Sequence, residues 1–61
     1  MNPEQIAGDC RNGDCPAAFD TRDGNVAVRG VPLTGIHAGD GELIVSVPAE
    51  IIKEAARALG G

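Results

Sequence analysis

Two rhythms of apolar and polar positions organise this chain. Between Glu42 and Val47, Leu43, Val45 and Val47 alternate with Ile44 and Ser46, a period of two that predicts a strand burying one face. Ile44 interrupts the polar set, so the opposite face is expected to be partly covered too. Pro48 has no N–H for a ladder, and its fixed φ suits the first turn of a helix. Beyond it Ile52, Ala55, Ala56 and Leu59 recur at helical spacing, with Ile51 at the margin of the stripe and Glu50, Lys53, Glu54 and Arg57 on the outer side. Glu50 early and Arg57 late suit the helix dipole, and Gly60 stands where a left-handed C-cap belongs. Val47, the expected N-cap, offers no side-chain oxygen. A helix of about twelve residues is marginal alone in water, so this one is expected to form docked on the strand before it.

Residues 17–30 predict a hairpin. Asp23-Gly24 lies between two extended runs, and both positions tolerate positive φ, the mark of a two-residue turn. That turn would set Thr21 opposite Val26, Asp20 opposite Ala27, Phe19 opposite Val28 and Ala18 opposite Arg29. Phe19, Thr21, Val26 and Val28 would then share one face, with Asp20, Arg22, Asn25 and Arg29 on the other. Residues 30–41 form a Gly-rich connection with Val31, Leu33 and Ile36 as apolar anchors, where Pro32 confines any strand to an edge. Residues 1–14 are polar and rich in Gly, Asn and Asp. They read as a loosely ordered arm with Ile6 as its anchor, ahead of a single small domain over 15–61.

Composition narrows the functional classes. The chain has 61 residues with one aromatic, Phe19, and its apolar material is mostly Ala and Val. A core of this kind is thin for the entropy of ordering it, so self-association or a partner is expected to complete its stability. The formal charge is −4 and the five basic residues are scattered, which disfavours direct binding to nucleic acid. Met1–Gly8 lacks the basic start and apolar run of a signal peptide, and no segment approaches membrane-spanning length, so the expected setting is cytoplasmic without membrane contact.

Candidate chemistry is sparse. Cys10 and Cys15 are spaced C-x4-C, and three arrangements are open to them: free thiols, a disulfide closing a short loop, or part of a zinc site. His37, the single histidine, is the one imidazole that could join such a site; otherwise it is a solvated loop residue. Asp9, Asn12 and Asp14 fail the spacing of an EF-hand. Gly39-Asp40-Gly41 lacks the Lys and the strand–loop–helix setting of a phosphate-binding loop. Cys10 or Cys15 with His37 is the only conceivable nucleophile–base pair, and no third group orients it. The expectation is a protein that is not an enzyme and carries no cofactor.

The order of features carries a resemblance. Cys15-Pro16 opens a short strand, Gly24 turns it, Val26-x-Val28-x-Gly30 forms the next, and Pro48-Ala49-Glu50 leads the C-terminal helix. This set resembles the small actinobacterial BldB-like regulatory proteins, a family of unknown molecular function, and more closely their short Cys-Pro relatives. The likeness spans about residues 14–59. This chain has Gly30-Val31 where the main family has Asp-Ser, and Ile51 where it has Trp. The resemblance implies a non-catalytic accessory that binds a helix-turn-helix transcriptional regulator.

These readings converge on an α+β fold: a three-stranded antiparallel sheet followed by one C-terminal helix packed on one face, β-β-β-α. The expected core is Phe19, Val26, Val28, Leu43, Val45, Val47, Ile52, Ala55, Ala56 and Leu59. Ala18, Ala27 and Ile44 are expected on the other face, as an interface for a protein partner or a second copy. Two rival functions are a small metal-binding or thiol-redox protein using Cys10 and Cys15, and an antitoxin-like inhibitor.

Overall fold

The computed structural model of the chain describes residues 3–8 and 15–60. A three-stranded antiparallel sheet in the order β1-β2-β3 is built from β1 (Glu4–Ala7), β2 (Ala17–Asp20) and β3 (Val26–Arg29). A second, two-stranded sheet pairs β4 (Val31–Pro32) with β5 (Val45–Ser46), and α1 (Ala49–Ala58) follows. The helix packs on β1 and β2. The expected class, three antiparallel strands followed by a helix lying on the sheet, is the observed one.

The strands that fill that class differ from the expected set. The third strand of the main sheet is the N-terminal Glu4–Ala7, paired with β2 through Glu4↔Asp20, Gln5↔Phe19 and Ala7↔Ala18, with an irregularity between Gln5 and Ala7. Part of the segment expected as a loose arm is thus tied into the sheet; its residues 9–14 lie outside the described residues. The apolar run before Pro48 contributes only Val45–Ser46, and these pair with Val31–Pro32 instead. Gly30 explains the diversion. A Cβ at Gly30 would stand 2.5 Å from the Ser46 carbonyl oxygen and 2.6 Å from Val47 Cγ1, so only glycine lets β5 pass this close to the end of β3. The Leu33 N–H donates to the Ile44 carbonyl at 3.0 Å and continues that small sheet.

The hairpin turn is one residue longer than the Asp23-Gly24 pattern predicts, and the pairing shifts with it to Ala17↔Arg29, Ala18↔Val28, Phe19↔Ala27 and Asp20↔Val26. Local side-chain hydrogen bonds select the longer turn. Asp20 Oδ1 accepts from the Arg22 N–H at 2.8 Å, Asp23 Oδ1 accepts from the Asn25 N–H at 3.1 Å, and the Thr21 hydroxyl donates to the Asn25 carbonyl at 2.9 Å. Arg22 takes φ +64 and Gly24 φ +91, while the Thr21 N–H reaches the Asn25 carbonyl at 3.4 Å to close the loop. A slip of one residue moves side chains to opposite faces. Val28 therefore lies with Ala18 on the helix side, and Phe19 with Ala27 on the far side. There the Arg29 guanidinium stacks over the Phe19 ring, 5.3 Å from its centroid.

The core is built from small residues. Ala7, Ala18, Ile51 and Ala55 form one buried cluster, with Ile6 and Val47 packed against it, and Ala17 is buried as well. Ala7 and Ala18 face each other across the sheet and leave the surface flat enough for the helix to approach closely. Ile51 and Ala55, four residues apart, meet it. The helix is thus turned from its expected face: Ile52 and Leu59, expected inside, are 52% and 51% exposed. Pro48 occupies the N-cap without a side-chain hydrogen bond, and Gly60 takes φ +89 past the last turn, as a left-handed C-cap requires.

Candidate protein-interaction surface

Among the described residues eight large apolar side chains stand in solvent: Val26, Val28, Val31, Leu33, Ile36, Leu43, Ile52 and Leu59. They outnumber the buried set and are larger, for that set has five members, Ile51 and four alanines. Scattered exposed apolar residues are ordinary. Here, however, six of them fall in two stretches, and Ile52 and Leu59 belong to the helix and its C-cap. Val26 and Val28 alternate on one face of β3, and Val31, Leu33, Ile36 and Leu43 lie on or beside the second sheet, which has no helix of its own. Leu43, expected in the core, is 88% exposed because the strand begins only at Val45 and the preceding Gly39–Glu42 turn carries residue 43 outward. That turn is held by the Glu42 carboxylate accepting from the Gly39 N–H at 2.8 Å and by the Glu42 N–H donating to the Gly39 carbonyl at 3.0 Å.

The residues expected to form one interface are not brought together. Ala18 is fully buried beneath the helix, Ala27 is exposed on the opposite face of the neighbouring strand, and Ile44 is half-buried ahead of β5. The shifted hairpin register separates Ala18 from Ala27. The apolar residues of the connection, read from the sequence as inward anchors, are mostly outside. Their signal was apolar side chains between glycines with no period to specify a buried face.

Cys15 is disulfide-bonded. Cys10, the one other cysteine of the chain, lies outside the described residues. A disulfide sulfur has no thiolate to offer a metal, so in this state Cys15 is not a zinc ligand. Its carbonyl accepts from Arg29 Nε at 2.8 Å, which ties the start of β2 to the end of β3. An open cavity of about 330 Å³ lies alongside, lined by Gly8, Cys15, Pro16, Pro48, Glu50, Ile51 and Glu54. At its edge the Gly8 N–H donates to Glu54 Oε1 at 3.3 Å, the hydrogen bond that links the helix to the end of β1. His37 is exposed in the long connection. Among the described residues no group of three His, Cys, Asp or Glu side chains is placed to hold a metal ion, and no helix is long and apolar enough to cross a membrane.

The Asp23 carboxyl is held below its ordinary range. The Thr21 hydroxyl, then the Asn25 N–H, stabilise its carboxylate and lower its pKa. This is chemistry of the turn and offers nothing to a substrate. Comparison of the chain with protein-family models, with curated proteins and with solved structures finds no match.

Proposed function

We propose that this protein is a non-catalytic regulatory interaction module, an accessory that docks on a helix-turn-helix transcriptional regulator. The observation that carries the reading is the inverted distribution of apolar side chains, with alanines inside and Val31, Leu33, Ile36 and Leu43 outside around the uncovered second sheet. A surface of that kind loses little by covering polar groups and gains by leaving water. The resemblance to BldB-like proteins supplies the kind of partner. The net charge of −4 suits a basic, DNA-reading protein, since complementary charge speeds encounter. Calorimetric titration of a purified regulator of this class with wild-type protein and with Leu43→Asp and Ile36→Asp tests the reading. Saturable binding weakened at least tenfold by both variants, with unchanged helical circular dichroism, supports it. No binding, or equal binding by all three proteins, overturns it.

The disulfide at Cys15 favours one second reading, a thiol-redox protein. A reduction potential within the range of cellular thiol buffers would support that reading, and one far below it would leave the bond structural. The cytoplasmic setting that goes with a regulator is checked by counting free thiols in cells quenched with an alkylating reagent. Disulfides persist mainly in oxidising compartments, so reduced cysteines there agree with a cytoplasmic module.

A further inference from the structure

We propose that the outer edge of β3 is a strand-addition site for a second copy of this chain, joining two sheets into one six-stranded sheet about a two-fold axis at Ala27. β3 is the last strand of its sheet, and among the described residues its main chain makes no hydrogen bond other than to β2. The two edges of the sheet are dressed differently. β1 carries an exposed Glu4 just after Pro3 and an irregular register at Ile6, the features that blunt an edge. β3 reads Val-Ala-Val-Arg, with no proline, no bulge and one charge.

The ladder parity identifies which main-chain groups are free. The Thr21 N–H to Asn25 carbonyl bond marks that pair as hydrogen-bonded, and in an antiparallel ladder such pairs alternate. Phe19–Ala27 and Ala17–Arg29 are then the hydrogen-bonded pairs of β2 and β3. The N–H and C=O groups of Val26 and Val28 point outward. Two copies running antiparallel satisfy all of them in one register, Val26 against Val28 of the second copy and the reverse, with Ala27 against Ala27 on the axis. Arg29 then faces Asn25, so no like charges meet. The four valines lie on the helix side of the joined sheet, beyond β1 and β2 where each helix packs.

Surface area argues for the same occupant. The chain exposes 4658 Å², whereas a compact monomer of 6.2 kDa exposes about 3700 Å². Its radius of gyration is 12.0 Å against about 10.5 Å for a compact chain of this length. Val26 and Val28 on β3, 41% and 38% exposed, contribute apolar surface to that total. The proposal stands apart from the identity of any regulator.

Sedimentation equilibrium of the 61-residue chain from micromolar to millimolar concentration provides the first test, and a concentration-dependent dimer is expected. Val28→Pro removes an N–H that makes no bond among the described residues and should shift the protein to monomer while keeping its helical circular dichroism. Ala27→Cys should give an intermolecular disulfide at position 27 on mild oxidation, since a non-hydrogen-bonded pair sets Cα atoms about 4.5 Å apart. That second variant decides the matter if the proline variant fails to fold. A monomer at every concentration overturns the proposal, as does a dimer in which position 27 does not cross-link.

Discussion

Two residues show how local chemistry sets the architecture. Gly8 takes φ +98, and a Cβ there would stand 2.6 Å from the Pro16 carbonyl oxygen, so Gly8→Ala is both strained and crowded. The expected cost is about 1–3 kcal/mol, read as a lower urea midpoint with an unchanged slope. Asp23 is the second case. Its carboxyl is held below the usual carboxylate range, first by the Thr21 hydroxyl and then by the Asn25 N–H. Because the folded pKa is the lower one, the contribution of Asp23 is present above the unfolded value of about 3.9 and is lost as pH falls through the folded value. Carbon-detected NMR titration should show Asp23 with a midpoint below the usual carboxylate value, and Thr21→Val should bring that midpoint back up. The same contacts explain why Asp23-Gly24 misleads as a two-residue turn. The dipeptide marks the place, but the acceptors at Asp20 and Asp23 and the left-handed Arg22 decide the length.

The helix and the sheet meet on a seam one residue wide. Among the described residues Ile51 is the only large side chain in the buried cluster, and Ile52 beside it is half in water. Ile51→Ala should therefore destabilise by about 2–3 kcal/mol, the lower part of the range for large-to-small core changes. Ile52→Ala should cost well under half as much. Thermal unfolding of the two variants checks which face is down, and equal losses would contradict the seam. Periodicity placed the helix and its C-cap at Gly60 but set the buried stripe one position late. Ile51 and Ile52 are both isoleucine, and the arc holding Ala55 is shared by either choice. Only the sheet surface, with Ala7 and Ala18 under the helix, distinguishes them. Strand β1 was not visible in Glu4–Ala7 because its order comes from pairing with β2 and from the Glu54 carboxylate at Gly8, contacts 46 residues apart in sequence for the latter.

For the molecule as a whole, the buried cluster is small and alanine-rich, so a cross-link weighs heavily in its stability. The disulfide at Cys15 sits where the end of β1, the start of β2 and the helix converge. Its reduction with a phosphine should cost roughly 2 kcal/mol, and each kcal/mol lowers the melting temperature by about 4–8 °C in a domain of this size. Differential scanning calorimetry with and without reductant measures it. A melting temperature unmoved by reduction would show that the bond adds nothing to the stability of the fold. The two exposed apolar stretches belong to this scale too: their individual residues are ordinary, and only their number against the buried set sets them apart.

The amino-acid order alone determined the class, an antiparallel sheet with a C-terminal helix on it, together with the hairpin's position, the helix start after Pro48 and its end at Gly60. These follow from short-range rules of period, φ and missing N–H groups, which act within a few residues. The tertiary structure decided which strand fills the third place in the sheet, the register of the hairpin, the buried face of the helix and the residues left in solvent. Those choices depend on how closely distant backbones approach, as at Gly30 against Ser46 and Gly8 against Pro16. No local pattern carries that distance.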